Sequence, residues 1–371
     1  MNELVGRLVL ADRITGGRLR IIDGRIADID LDERRTDGPL IAPGSIDVHV
    51  HGWGGHDAMG GPDALDGMAR ALARRGVTSF LPTAVAASIA DLHRFASEVR
   101  DWSAEAPADG AAPLGFNLEG PFLAPARAGA HEPTLLLDPA DVDDGDIEPL
   151  IDGLRIITIA PERPGAIALI RSLSGRGVRV SLGHSAATLD EAREGYAAGA
   201  VSTTHLFNAM SGLAHRAPGL AVAALLDDAV WTEVIADGQH VHPEMWSLVA
   251  RCKPADRWLL VSDAIAPGGT SLRRARLGGL DVEIADGRAT LAGSAALAGS
   301  VVALSDAVRN VARAGIPLPA AVAAASAVPA GLLGLTDRGS IAVGKRADLV
   351  ALDDDLRVRR VWLAGREIDL G

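Results

Sequence analysis

From residue 45 onward, short apolar runs alternate with longer segments whose apolar residues recur every three to four positions. The runs are SIDVHV (45–50), VTSFLP (77–82), PLGFNL (113–118), LRIITIA (154–160), VRVSLG (178–183), VSTTHL (201–206), WTEVIA (231–236) and RWLLVS (257–262). The segments between them, such as DALDGMARALARR and DLHRFASEVRDW, have the spacing of amphipathic helices. Eight strand-then-helix units predict an α/β fold, a (β/α)8 TIM-like barrel over residues 43–339.

A doubly wound open sheet is the alternative fold for such an alternation. The count of eight units disfavours it, and so does the lack of a G-x-G-x-x-G motif after the first run. The barrel is therefore the preferred interpretation.

The two ends of the chain have a different pattern, with polar and apolar residues alternating as in strands. GRLRIIDGRIADIDLD turns at Asp23-Gly24, a dipeptide typical of tight hairpins, and the tail GSIAVGKRADLVALDDDLRVRRVWLAGREI has the same character. We expect residues 1–42 and 340–371 to pair as a small, discontinuous β-sandwich domain. A further hairpin is predicted at Asp286-Gly287, with helices from about 300 to 334.

Composition narrows the class of protein. The chain has 371 residues, 48% of them hydrophobic, and no apolar stretch reaches the ~18 residues that a membrane span needs. A formal charge of −12 argues against a nucleic-acid partner. The single cysteine, Cys252, excludes an internal disulfide, and the first residues lack the plan of a secretion signal, so we expect a cytoplasmic location.

Ionisable residues follow the predicted strands, at the ends that meet on one rim of a barrel. His49 and His51 end the first run, and residues two apart on a strand share a face. The others are Glu119 after the third run, His184 after the fifth, His205 after the sixth, His240 after the seventh and Asp263 after the eighth.

Any one of these residues alone would be an ordinary structural side chain, but their joint placement indicates a site. Four histidines and a carboxylate suit a borderline divalent ion, zinc first, with iron or another transition metal as alternatives. We expect one or two ions. Glu119 could bridge two of them, with His49 and His51 on one and His184 and His205 on the other.

In chain order, PGSIDVHVHG, NLEGPFLAPARAGAH, SLGHSAAT, TTHLFNAM, HRAPG, ADGQH, VSDAIAPGG and LAGS resemble the amidohydrolase superfamily. The chain is most similar to its deacetylases of amino-sugar phosphates, over nearly its whole length. The resemblance implies metal-dependent hydrolysis of the acetamide of N-acetylglucosamine 6-phosphate to glucosamine 6-phosphate and acetate. It makes Glu119, His184 and His205 the main metal ligands, Asp263 the catalytic base and acid, and His131 a group beside the reacting amide.

The resemblance also implies the substrate contacts and the assembly. Substrate-binding residues would be Ala130, His131, Asn208, Ala209, Arg216, Asp237, Gly238, Gln239, His240, Leu291, Ala292 and Gly293. His240 would reach the substrate of a partner subunit, which makes a homodimer the expected assembly. Asn117 stands where many relatives carry histidine, a change that we expect to leave the ligand set intact.

Lysine is scarce, which separates this chain from relatives that bridge two metals with a carboxylated lysine. Only Lys253 and Lys345 occur, and the first is expected at the rim opposite the site. Glu119 must therefore be the bridge. Three alternative activities stay open: hydrolysis of N-acyl amino acids or cyclic amides, hydrolysis of N-acetylgalactosamine 6-phosphate, and non-catalytic binding of a sugar phosphate.

Overall fold

Eight parallel strands form a barrel and follow one another around it in chain order. The structure, a computed structural model, describes residues 2–371. Strands 1 to 8 of the barrel are Ser45–Val50, Val77–Ala84, Phe116–Glu119, Leu154–Ile159, Arg179–Leu182, Ser202–Thr203, Trp231–Ile235 and Trp258–Val261. Strand 8 returns to strand 1 at the carboxyl end, where the Asp263 N–H donates to the His49 carbonyl at 2.9 Å. The predicted (β/α)8 barrel is confirmed.

The helices cover the outside of the barrel with their apolar faces. Helices α1 to α10 are Pro62–Ala73, Ile89–Ser103, Asp144–Ile151, Ala166–Gly175, Leu189–Ala197, Leu220–Leu226, Pro243–Cys252, Leu304–Arg313, Leu318–Ala324 and Ala327–Leu332. In α1 the buried residues Leu65, Met68 and Leu72 lie three and four positions apart, so one stripe faces the core. Helix α5 begins with a capping box, in which Thr188 and Glu191 accept each other's backbone N–H.

Several barrel strands are shorter than the predicted runs, and in strands 3 and 6 the backbone shows why. Strand 3 begins at Phe116 because Gly115 has φ of 105°, which interrupts extended backbone. Strand 6 contains only Ser202–Thr203, since the chain turns sharply at His205, whose φ is 27°. Both departures arise from backbone conformations that the apolar pattern does not encode.

The strands of the two chain ends pair in one seven-stranded sheet. Its spatial order is Arg366–Ile368, Val358–Leu363, Leu349–Leu352, Leu40–Pro43, Asn2–Val9, Ile14–Ile22 and Arg25–Leu31. Leu40–Pro43 joins the ends, because it pairs antiparallel with Leu349–Leu352 and parallel with Asn2–Val9. Leu8, Leu19 and Ile26, which lie on three of these strands, are fully buried. The domain boundaries at residues 42 and 340 stay a prediction.

Short β elements accompany the barrel at both of its ends. Gly52–Trp53 pairs with His56–Asp57, and Ala112–Pro113 lies beside strand 2. Arg274–Leu277, Leu280–Ala285 and Arg288–Leu291 form a three-stranded antiparallel sheet, whose second turn is the predicted Asp286-Gly287. Among residues 2–371, no helix has both the length and the apolar character that crossing a membrane requires.

Candidate metal centre

Six predicted residues from five different strand ends converge at the carboxyl mouth of the barrel. All are buried, with exposed fractions from 0% for His49 to 7% for Asp263. They are His49, His51, Glu119, His184, His205 and Asp263. The parallel strands bring them together because their carboxyl ends share one rim.

Glu119 stands between two groups of ligand atoms, one at each carboxylate oxygen. The first half-site surrounds its Oε2 and consists of His49, His51 and Asp263. The His51 Nε2 is 3.1 Å from Glu119 Oε2 and 3.2 Å from Asp263 Oδ1, and 3.3 Å from the His49 Nε2. This is one cluster of nitrogen and oxygen atoms that face one another.

The second half-site surrounds the other oxygen, Oε1, and consists of His184 and His205. Their Nε2 atoms are 3.1 Å apart, and they lie 3.1 Å and 2.7 Å from Glu119 Oε1, respectively. The geometry brings together the bridging carboxylate and the two histidine pairs that the sequence predicts.

The chemistry of these atoms fits divalent cations. Glu119, Asp263 and the neighbouring Glu233 are buried carboxylates, and in the described chain their only ion-pair partners within 4.0 Å are histidines. Buried anions need a nearby positive charge, and facing imidazole nitrogens with two or three oxygens form the ligand set that zinc and related ions take. The residues present therefore fit one ion in each half-site.

The remaining nitrogens of these histidines show which atom is free to bind a metal. The Nδ1 of His51 lies 3.1 Å from the Thr83 carbonyl, and the Nδ1 of His184 lies 2.7 Å from the Arg127 carbonyl. A carbonyl only accepts, so each Nδ1 carries the proton and each Nε2 presents its lone pair to the centre.

His49 is held in the same way, but by a side chain. Its Nδ1 donates to Glu233 Oε2 at 3.1 Å, and both side chains are fully buried. Burial lowers the pKa of His49, but the charges of Glu119 and Glu233 outweigh that effect and raise the pKa well above its usual value.

His131 has the opposite orientation and is a donor rather than a ligand. Its Nδ1 accepts the backbone N–H of Ala86 at 3.1 Å, so its Nε2 carries the proton and points at Glu119 Oε2, 3.2 Å away. Burial is the main reason why its pKa is lowered to about 4, which keeps the ring neutral near pH 7. A neutral ring with an Nε2–H directed into the site can donate to a substrate oxygen.

Asp263 is ionised near neutral pH. Burial raises its pKa, but the hydrogen bond with His51 and the charge of His49 outweigh burial and lower the pKa to about 2. Its φ is 48°, and the φ of His184 is 45°. Non-glycine residues adopt this left-handed conformation at a cost, which is typical of functional sites.

A cavity of about 470 Å³ opens over the centre, within the range of small-molecule sites. Its lining includes the predicted contacts Ala130, His131, Asn208, Ala209 and His240. His49 is enclosed behind the lining, with no exposed surface.

Some predicted substrate contacts lie elsewhere. Arg216 is exposed and does not line the cavity. Asp237, Gly238 and Gln239 do not line it either, although Asp237 Oδ2 accepts from His240 Nδ1 at 2.7 Å and so orients that ring. His240 lines the cavity of its own chain, whereas the resemblance implied that it would reach the site of a partner subunit.

The stretch Leu291–Gly293 does not line the cavity either. A second copy of the same tetrapeptide lies there instead. LAGS occurs at 291–294 and again at 297–300. Leu297 and Gly299 of the second copy line the cavity, and the Ser300 N–H donates to the Asp263 carbonyl at 2.7 Å. The predicted stretch is the first copy, whose Leu291 ends a strand of the three-stranded sheet.

Two functional side chains were missed from the sequence. Glu233 is a charged residue inside the apolar run of strand 7, and that interruption was the available signal. Arg127 lies in PARAGAH and is the cavity's one lysine or arginine, and its carbonyl orients His184. Lys253 lies away from the site, as expected: it follows α7, and its ammonium donates to the Ala224 carbonyl at 2.9 Å, so it is no metal bridge.

Comparison with known proteins agrees with this geometry. A family profile described as "Amidohydrolase family" matches residues 40–368. The N-acetylgalactosamine-6-phosphate deacetylase of Escherichia coli O157:H7 is 40% identical over 94% of each chain. The N-acetylglucosamine-6-phosphate deacetylase of Danio rerio is 37% identical over 89% of this chain and 84% of its own.

A solved structure extends the likeness to three dimensions. N-acetyl-D-glucosamine-6-phosphate deacetylase from Mycobacterium smegmatis, in complex with N-acetyl-D-glucosamine-6-phosphate, superposes with a TM-score of 0.92 at 34% identity over 99% of each chain.

Proposed function

The chain belongs to the amidohydrolase family, and on that basis we propose that it hydrolyses the acetamide of N-acetylglucosamine 6-phosphate to glucosamine 6-phosphate and acetate. The observation that carries the proposal is the pairing of an ionised Asp263 with a neutral, donating His131 around one histidine–carboxylate centre. Relatives with this activity in their names cover most of the chain.

The family is metal-dependent, and the two half-sites supply ligands for the ions. Zinc is the proposed ion, with two per chain, because both histidine pairs are present around Glu119. When bound, a divalent ion would supply Lewis acidity that lowers the pKa of water towards about 7 and polarises the amide carbonyl.

The chain's own residues move the protons. Asp263 is ionised, so its carboxylate can take a proton from water as the nucleophile attacks the acetyl carbon. The same carboxyl can then return that proton to the departing nitrogen. His131 donates its Nε2–H to the carbonyl oxygen, on which negative charge develops.

The phosphate requires local positive charge, since the chain as a whole carries −12. Burial lowers the pKa of His240, but its hydrogen bond with Asp237 outweighs burial and raises the pKa. We propose that His240, the backbone at Asn208-Ala209 and the cationic Arg127 receive the phosphate. A homodimer and a cytoplasmic location are part of this proposal.

The second candidate substrate is N-acetylgalactosamine 6-phosphate, which differs at one hydroxyl. The 40% identity with a deacetylase of that name favours it. The other amidohydrolase activity, on N-acyl amino acids, would require a site for a carboxylate rather than a sugar phosphate.

The test is a kinetic screen of the zinc-loaded protein. Free amine is measured with both hexosamine phosphates, with unphosphorylated N-acetylglucosamine and with N-acetylated amino acids. We expect the highest kcat/KM for N-acetylglucosamine 6-phosphate. A higher value for the galactosamine compound would support the second candidate, and tight binding without amine release by metal-loaded protein would indicate a binding protein.

A further inference from the structure

One of the four ligand histidines is oriented by a side chain, and the others are not. The Nδ1 atoms of His51 and His184 donate to backbone carbonyls, and that of His205 has no hydrogen-bond partner among residues 2–371. The Nδ1 of His49 donates to Glu233. A backbone carbonyl is present whatever the side chain, so a substitution leaves that acceptor in place. A substitution of Glu233, in contrast, removes the acceptor that orients His49.

The surroundings of Glu233 direct its charge at His49. Its side chain is fully buried, and in the described part of the chain no lysine or arginine lies within 4.0 Å of it. Its Oε1 has no hydrogen-bond partner among those residues. Its Oε2 accepts from the His49 Nδ1 at 3.1 Å and from the His205 backbone N–H at 3.2 Å.

We propose that Glu233 is a positioning residue that determines whether the first half-site, with His49 and His51, holds a metal ion. A carboxylate on the far nitrogen of a ligand histidine fixes the tautomer that presents Nε2 and makes that nitrogen more basic. Without Glu233, the His49 ring can carry its proton on Nε2, and that tautomer cannot bind a cation. The proposal rests on the metal centre of the proposed function and is independent of the substrate.

The second half-site does not depend on the Glu233 side chain in the same way. The chain at His205 is also held by backbone bonds, because the Leu206 N–H donates to the Glu233 carbonyl at 2.8 Å and the Asn208 N–H to the His205 carbonyl at 3.0 Å. His184 is oriented by the Arg127 carbonyl. A substitution that removes only the carboxylate therefore leaves both Nε2 atoms of this half-site beside Glu119.

The experiment compares zinc binding by four proteins: wild type, Glu233→Leu, Glu233→Gln and Thr232→Val. Thr232 is the matched control, since it is fully buried on the same strand and its hydroxyl has no partner within residues 2–371. Apoproteins are titrated with zinc against a chromophoric chelator, and bound metal is counted by elemental analysis after gel filtration. Thermal unfolding of each apoprotein confirms that it is folded.

For the wild type and Thr232→Val we expect two ions per chain. For Glu233→Leu we expect one tight ion and a second that binds 10- to 100-fold more weakly, the usual loss for such a partner. Glu233→Gln, which keeps an acceptor but no charge, should lie between them, and it carries the test if the leucine variant does not fold. An NMR measurement of the His49 ring nitrogens should show the Nδ1–H tautomer in the wild type and its loss in Glu233→Leu.

Other outcomes separate the two claims. Wild-type protein that binds no zinc contradicts the proposed metal-dependent function. Two ions in the wild type and unchanged affinity in both Glu233 variants overturn the role of Glu233, as does equal weakening of both ions. A single tight ion in the wild type also overturns it, because the first half-site would then be no metal site.

Discussion

Replacing Asp263 with asparagine should remove most of the catalytic activity while leaving the fold and one metal intact. The change keeps the size of the side chain and one oxygen that can face the His51 Nε2. In the wild type, the Asp263 Oδ1 lies 3.2 Å from that nitrogen. It removes the only feature that the reaction needs from this residue, a carboxylate that takes a proton and returns it. The burial and the hydrogen-bond frame of strand 8 are unchanged.

The expected loss follows from the two roles of that one group. General acid–base catalysis contributes about 10²–10⁴-fold, and each factor of ten corresponds to about 1.4 kcal/mol of activation free energy. Because the proposed mechanism uses Asp263 first as base and then as acid, and its pKa of about 2 keeps it ionised at pH 7, we expect a loss near the upper end.

The assay measures kcat with N-acetylglucosamine 6-phosphate together with metal content. The control is Asp47→Asn, which removes another fully buried carboxyl, one that accepts backbone N–H groups of His49 and Ser262 at 3.3 Å and does not line the cavity. Burial raises the pKa of Asp47 to about 6. We expect Asp47→Asn to retain near wild-type turnover. The proton-carrier role would be refuted if Asp263→Asn, with metal in the second half-site, kept more than a tenth of the wild-type kcat.

Three further changes test other parts of the structure. Gly129→Ala should lower the melting temperature and weaken zinc at the second half-site, because φ is 59° and a Cβ would lie 3.0 Å from the His184 ring; unchanged metal affinity would contradict this. Leu297→Ala should lower kcat/KM by about tenfold or more, whereas Leu291→Ala should not, and the reverse result would assign the cavity to the first LAGS copy. Burial lowers the pKa of Lys253 from the usual 10.5 to about 8. At pH values between these two, the folded protein therefore binds fewer protons than the unfolded chain. In urea unfolding from pH 8 to 10, the wild type should therefore gain stability relative to Lys253→Met as pH rises, and a flat or falling difference would show that the ammonium is not desolvated.

The elements and the convergence of the candidate ligand residues could be predicted because their signals are local. The period of the apolar residues distinguishes helix from strand, and the order of eight units indicates a barrel. In a barrel all strands run the same way, so a residue that ends one run must lie on the same rim as a residue that ends another. That rule placed His49, Glu119 and Asp263 together without any knowledge of their distances.

Other features could not be predicted, since they depend on how distant segments meet. The contact between His49 and Glu233 joins strands 1 and 7, and a glutamate within an apolar run does not show which partner it has. The two LAGS copies are identical in sequence, and only the course of the chain after the three-stranded sheet brings Leu297 rather than Leu291 to the cavity. Arg216 was assigned from its motif, but in this chain it is exposed to solvent.

The amino-acid sequence by itself thus determined the type of fold, the rim that carries the site and the kinds of ligand atoms that meet there. The tertiary structure alone decided which nitrogen of each histidine faces the centre and which side chain holds it there. The physical reason is that periodicity and strand direction are properties of single segments, whereas hydrogen-bond geometry depends on distances of about 3 Å between segments far apart in the chain.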